Sequence, residues 1–324
     1  MKDYQLSFYQ IISKNRTAVM GFSMLSIMLF HQYFISVFPF NIFHNYGFWG
    51  VDIFLFLSGM GLVNSLEKNS IMTFYKRRLM RLVPACLICG TVKYFLFLLF
   101  ATYLAVLKDG LNLGIWSIAS LDLWFIHTIL IFYLISPVLY HLLHKWPIVT
   151  MVVVLMAFIV NGVTIRPMVG FDWLSPVGIL AWSVERLPVF AFGMLICIQH
   201  VNIDRRMSYS IVFLVIAACL TVLAKNGMDY PFLMVLQIFS LILGVPALIM
   251  ICCHLFMKLP DAMLRPIIFL GTYSLELYLV HEFIFWSIII NFAEYNSLLL
   301  LVTALLLSVL SAYMCKSIVI KTFC

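Results

Sequence analysis

The sequence predicts an all-α, polytopic transmembrane helical bundle of about ten helices, on three observations. Hydrophobic residues make up 64% of the 324 positions and charged residues 10%, too little polar surface to cover a water-soluble domain of this length. Apolar runs of about 18 residues or more recur along the chain, the length that spans a hydrocarbon core. Lys and Arg collect in the short segments between those runs. The formal charge of +7 therefore reports orientation in a lipid bilayer, and no nucleic-acid partner is expected. Long helical runs also exclude an outer-membrane β-barrel.

Breaks at charges, Pro, Gly and Asn delimit the expected spans as 17–38, 46–64, 84–107, 123–143, 147–165, 178–199, 208–224, 231–256, 266–290 and 296–315. The first follows a polar, basic stretch that lacks the features of a cleavable leader. The second starts near Gly47 and stops before Glu67-Lys68, and the third starts at Pro84, after a basic segment. The fourth opens near Trp124 and closes before Lys145, and the fifth runs from Pro147 to just before Arg166. Pro176 precedes the sixth, and Arg205-Arg206 and Lys225 bracket the seventh. The eighth starts at Pro231 and ends before Lys258, the ninth starts at Pro266, and the tenth ends just before Lys316. The intervening segments are too short to fold alone and no internal repeat is visible, so one membrane domain over 1–324 is expected, with no fused soluble domain.

Orientation follows from the basic residues. With the N-terminus inside, fifteen fall in inner segments (Lys2, Lys14, Arg16, Lys68, Lys76, Arg77, Arg78, Arg81, Lys145, Arg205, Arg206, Lys258, Arg265, Lys316, Lys321) against three outside (Lys108, Arg166, Lys225). Both termini are thus expected to be cytoplasmic. Seven of the eight cysteines, including the Cys86-x-x-Cys89 pair, lie in or beside apolar runs and read as small packing residues. No second pair or histidine set accompanies them, and no metal is expected.

Titratable groups within spans are costly and tend to face a bundle interior where they have a task. His31 lies about 21 Å along an outward-running helix at ~1.5 Å per residue, in the outer half. Asp52 opens the next span at similar depth. Consecutive spans pack antiparallel, so its carboxylate is expected to orient the imidazole, with helix capping as its other reading. Glu185 and Arg186 enter from the outside, to pair with each other or with neighbours, and Pro188 follows them as a kink. His281 also falls in the outer half, with Glu276 deeper and Glu282 beside it. Lys93 is expected to snorkel inward, and His127 to sit in an interfacial aromatic belt. Four positions on four spans (His31, Asp52, Glu185 and His281) thus form a candidate catalytic set. On the cytoplasmic side, Arg77, Arg78 and Arg81 share one face if the segment 73–84 is helical, a pattern suited to phosphate oxygens or to anionic lipid.

Gly50-Val-Asp-Ile-Phe-Leu-Phe-Leu-Ser-Gly59, followed by Phe74-Tyr-Lys-Arg-Arg-Leu-Met-Arg-Leu-Val-Pro84, resembles the acyltransferase-3 family of membrane acyltransferases. His31, Trp124-Phe-Ile ahead of Tyr133 and Pro137, Glu185-Arg-Leu-Pro-Val-Phe190 and Leu270-Gly-Thr-Tyr-Ser-Leu-Glu-Leu-Tyr-Leu-Val-His281 extend the resemblance in order along most of the chain. It implies ten core helices in a bacterial inner membrane. It also implies an acyl-CoA donor, acetyl-CoA by default, and an acceptor hydroxyl on a surface glycan or lipid-linked saccharide. By the same resemblance His31 is the catalytic histidine, and Arg78 and Arg81 form the R-x-x-R motif on the acyl-CoA side. Phe54–Gly59 match an F-F-x-L-S-G-like motif with Leu55 for the second Phe. The family's basic residue eleven positions before the histidine is here Met20, with Arg16 one turn earlier. Arg186 or Ser58 are candidate oxyanion donors, and both direct transfer and an acyl-histidine intermediate stay open. Ser58-Gly59 reads first as a site of close helix packing. A transporter or flippase is the competing reading, since it too needs charges inside a bundle.

Overall fold

The structure is a computed structural model and describes residues 8–32, 35, 40–100, 124–169, 175–200, 207–226, 234–292 and 298–323. The outer ends of the first and third expected spans, together with Lys2, Lys108, Arg205 and Arg206, lie outside the described residues. Every regular element among the described residues is helical. In chain order they are α1 (Phe8–Phe30), α2 (Phe40–Tyr46), α3 (Trp49–Lys68), α4 (Ile71–Phe100), α5 (Trp124–Lys145) and α6 (Pro147–Val160). A π-helical stretch at Asn161–Ile165 leads into α7 (Arg166–Val169). Then come α8 (Pro176–Ile198), α9 (Met207–Asn226), α10 (Met234–Phe256), α11 (Asp261–Thr272), α12 (Ser274–Phe292) and α13 (Leu298–Phe323).

Six described helical segments are long and apolar enough to cross a membrane: α3, α5, the rod Pro147–Val169, α8, Leu236–Phe256 within α10, and α13. The pair α11–α12 makes a seventh if taken as one broken span. About ten were expected. Only the described residues enter this number, and the outer ends of the first and third expected spans lie outside them; α1 and α4 also carry Lys14, Arg16 and Lys76 through Arg81 inside the helix itself.

Local signals explain several boundaries. Ser175 caps α8, its Oγ accepting from the Gly178 N–H at 3.1 Å, and Pro176 occupies the first turn, where its missing N–H costs nothing. Ser70 caps α4 through Thr73 N at 3.3 Å, and the helix then runs through Pro84 without stopping. The basic segment and the third span are therefore one element. Helix α1 ends at Phe30, with His31 and Gln32 following it. The Gln32 side chain closes a turn on the Ile35 backbone, accepting its N–H at 3.0 Å and donating to its carbonyl at 2.8 Å. His44 of α2 donates to the terminal Phe30 carbonyl at 3.1 Å.

The expected span 266–290 is two helices meeting at 80° beside Tyr273. Lys316 holds this corner. Its ammonium donates to the Thr272 carbonyl at the end of α11, lies 3.7 Å from Glu276 Oε2 in the first turn of α12, and sits 4.9 Å over the Tyr273 ring. A cation there meets the carbonyl end of one helix while a carboxylate meets the amide end of the next. Glu276, placed near mid-membrane by the sequence reading, is thus the partner of a bend.

The chain groups into two compact units. Unit one comprises Met1–Val19, Val51–Phe74 and His127–Ile267. Its centre is a parallel pair, α3 and α8, packed backbone to backbone. A Cβ on Gly59 would fall 2.3 Å from the Phe190 carbonyl oxygen, and one on Gly193 would fall 2.3 Å from that of Phe56. The close-packing reading of Ser58-Gly59 therefore holds. Around the pair, Thr128 meets Ser183 at 3.0 Å, Phe132 lies 4.5 Å from Phe190, and Asn161 donates to the Ala181 carbonyl at 3.1 Å. Helix α9 packs against α10, with the buried Thr221 and Ser240 hydroxyls in contact.

Unit two comprises Met20–Gly50, Tyr75–Ile126 and Ile268–Cys324. Helix α12 lies along α13, and Tyr278 of α12 packs at 4.7 Å on Phe125. The buried thiols of Cys89 and Cys315 join α4 to α13. Gly47 and Gly50 let the chain come against α1, since a Cβ would lie 2.4 Å from Ser26 O and 2.5 Å from Ser23 O respectively.

Candidate active site

In unit two the end of α1 presents His31 and the middle of α12 presents His281, residues 250 apart in sequence, with His281 Nε2 at 3.1 Å from His31 Nδ1. His281 is fully buried, and His31 is half-buried. The surrounding carbonyls determine the tautomers. His281 Nδ1 lies 3.0 Å from both the Leu277 and the Tyr278 carbonyl oxygens, which only accept, so Nδ1 carries the proton. Nε2 of a neutral His281 is then an acceptor, and the shared bond requires a proton on His31 Nδ1. That proton is also within reach of the Ile27 carbonyl, at 3.1 Å. In the neutral ring the remaining nitrogen of His31, Nε2, then holds a lone pair, the state a general base needs.

The rings around the pair are aromatic: Phe30 stands edge-on to His31 at 5.0 Å, and Tyr278 and Phe285 lie 5.7 and 6.2 Å from His281. Glu282 acts electrostatically on His31, and Lys93 on His281. Lys93 is 1% exposed, so it does not snorkel to the surface as its position suggested. An apolar helix gives no hint of which face a lysine takes, so its sequence position did not reveal this burial.

The other two members of the expected set belong to unit one and have partners there. Asp52 is fully buried at the start of α3, and Arg186 Nη1 donates to its two oxygens at 3.1 and 3.2 Å. Glu185 does not pair with Arg186 but with Arg166 Nε, whose guanidinium stacks 4.3 Å over Trp182. Adjacent residues on a helix point about 100° apart, so each takes a different partner. His281 stands where a carboxylate was expected to orient His31, while the carboxylate of Asp52 holds α3 to α8.

The arginine segment is helical, as its reading required. Arg77 and Arg81 are exposed on the first turns of α4, and Arg78 between them is half-buried. Their guanidiniums offer bidentate donors to phosphate oxygens. Among the described residues no group of three or more His, Cys, Asp or Glu side chains is arranged to hold a metal.

The chain matches no curated protein and no solved structure. One family model, described as an acyltransferase domain, matches residues 19–316, which take in both histidines, the Asp52–Arg186 and Arg166–Glu185 pairs and the arginine segment. With nearly its whole length matched, this helical, multi-pass membrane chain belongs to the acyltransferase-3 family.

Proposed function

We propose that the chain is a membrane O-acyltransferase that moves an acyl group, acetyl by default, from acyl-CoA to a hydroxyl of a surface-glycan sugar or its lipid-linked precursor. It works in a bacterial inner membrane with both termini cytoplasmic and about ten spans. The observation that carries this reading is the tautomer chain ending in the lone pair of His31 Nε2.

His31 Nε2 takes the proton of the acceptor hydroxyl as its oxygen attacks the acyl carbonyl. The ester C–O bond forms, the C–S bond breaks, and the same proton passes from His31 to the leaving thiolate. His281 is a positioning residue: its acceptor nitrogen holds the His31 ring and its tautomer, and the shared bond strengthens when His31 becomes cationic. Glu282 stabilises that cation. Lys93, buried in the same unit, supplies positive charge for the oxyanion. The donor contributes the activated thioester, and Arg77, Arg78 and Arg81 hold its phosphates.

The test is the mass of surface glycans in a deletion strain complemented with wild type or with His31→Ala at equal membrane expression. Restoration of an acyl increment by the wild type alone supports the reading. Equal restoration by both variants removes His31 from the chemistry. An unchanged glycan profile in every strain favours transport, a reading for which purified protein need not bind CoA.

A further inference from the structure

His31 is the first residue beyond α1, so its ring is only as well placed as the end of that helix. The His31 N–H still reaches the Ile27 carbonyl at 3.2 Å. The Phe30 carbonyl, which shares a peptide unit with that N–H, is among those that a helix end leaves without a donor from the helix itself. A reacting group displaced by about 1 Å can lose ~10² in rate, so whatever holds Phe30 bears on the chemistry.

His44 supplies a donor. Its Nδ1 lies 3.1 Å from the Phe30 carbonyl oxygen, which only accepts, so Nδ1 carries a proton in the neutral and the cationic ring alike. The same imidazole stacks on the Phe30 ring, with centroids 6.3 Å apart and planes 24° apart. Phe30 in turn stands edge-on to His31 at 5.0 Å, and Phe48 meets Phe30 edge-on at 6.2 Å. Packing three residues beyond His44 backs this contact. A Cβ on Gly47 would lie 2.4 Å from the Ser26 carbonyl oxygen and 2.8 Å from Phe30 Cβ, so the end of α2 lies directly against the last turns of α1. All of these residues belong to unit two, as do His31 and His281.

We propose that His44 is a positioning residue: through its hydrogen bond to the Phe30 carbonyl it holds the His31 ring in place against His281. The inference deepens the acyl-transfer reading, and its kinetic arm rests on that reading. The full-length protein, with isotope-labelled histidine, is purified in neutral detergent. The variants are His44→Phe, which keeps a ring without the donor, His44→Asn, which keeps an N–H donor without the ring, and His141→Phe, a control at an exposed position of α5. One readout is the nitrogen NMR shifts of the His31 ring, assigned by their loss in His31→Ala; the other is kcat and KM for acyl transfer. His44→Phe should move the His31 shifts and lower kcat about tenfold at unchanged KM, and His44→Asn should return kcat to within about threefold of wild type. His31 shifts that stay as in the wild type in His44→Phe overturn the proposal, whatever the reaction. A kcat lowered equally in His44→Phe and His44→Asn, or in His141→Phe, also overturns it. Should His44→Phe fail to fold, the wild type decides by itself, since a His44 ring protonated only on Nε2 is incompatible with the proposal. A wild type without acyl transfer, in which the His31 shifts still depend on His44, removes the acyl-transfer reading and leaves the hold of His44 on His31 standing.

Discussion

The two units bury their polar groups differently. Unit one neutralises charge with charge. Arg186 meets Asp52, Arg166 meets Glu185, and each pair ties neighbouring elements together. Unit two, apart from the partly exposed Lys316–Glu276 pair, buries an imidazole against an imidazole, which in the neutral pair leaves one nitrogen of the half-exposed His31 ring without a proton. Ion pairs whose members hold each other have little left to offer a substrate, and their energetic role is to fix register. A histidine held on one side and open on the other is poised for proton transfer. Burial alone, which the sequence flags through charges in apolar runs, does not separate these two uses; the partner does.

The largest effect expected from breaking this contrast is at His31. His31→Ala should lower acyl transfer by about 10²–10⁴, the contribution of a general base, with helicity and membrane yield unchanged. In kinetic assays of the purified enzyme, His281→Phe should lower kcat by ~10² at unchanged KM. His281→Gln, which retains an acceptor toward His31 Nδ1, should recover part of that loss. A His281→Phe enzyme with wild-type kcat would remove the positioning role.

In unit one the loss should be of stability. Removing one partner of the buried pair, as in Asp52→Asn, leaves a charge uncompensated and should cost about 3–5 kcal/mol in detergent-unfolding measurements. The double variant Asp52→Leu/Arg186→Met should regain most of it. Failure of the double variant to recover would show that the pair does more than fasten α3 to α8. Gly59→Ala forces a Cβ onto the Phe190 carbonyl and should cost about 1–3 kcal/mol by overpacking, read as a lower midpoint in the same assay. The smallest effect belongs to Lys316→Gln at the corner of α11 and α12. The lysine is a quarter exposed, so screening limits the loss to about 1 kcal/mol, with catalysis retained.

Features encoded within a few residues of one another were legible. Ser175-Pro176 announces the start of α8, Gly59 announces close packing, and Arg77, Arg78 and Arg81 share a helix once the segment 73–84 is seen to be one. The buried candidates were also found, because a charge in an apolar run stands out. Their pairing was not. Asp52 was matched to His31 on the expectation that consecutive spans meet, and that expectation holds for α1 and α3 inside unit one, where Tyr9 reaches Asn64. It says nothing about which carboxylate or imidazole finds which partner.

The sequence by itself determined an all-helical membrane chain, its acyltransferase-3 membership and the residues that carry charge or a titratable ring into apolar surroundings. Composition, span length and local motifs are properties of contiguous residues, and bilayer thickness acts on them directly. Only the tertiary structure decided that His31 answers to His281, that Arg186 answers to Asp52, that Lys93 stays buried and that Lys316 bends the chain at Tyr273. A helix offers several faces at each depth, and which face meets which neighbour is set by packing of elements distant in sequence.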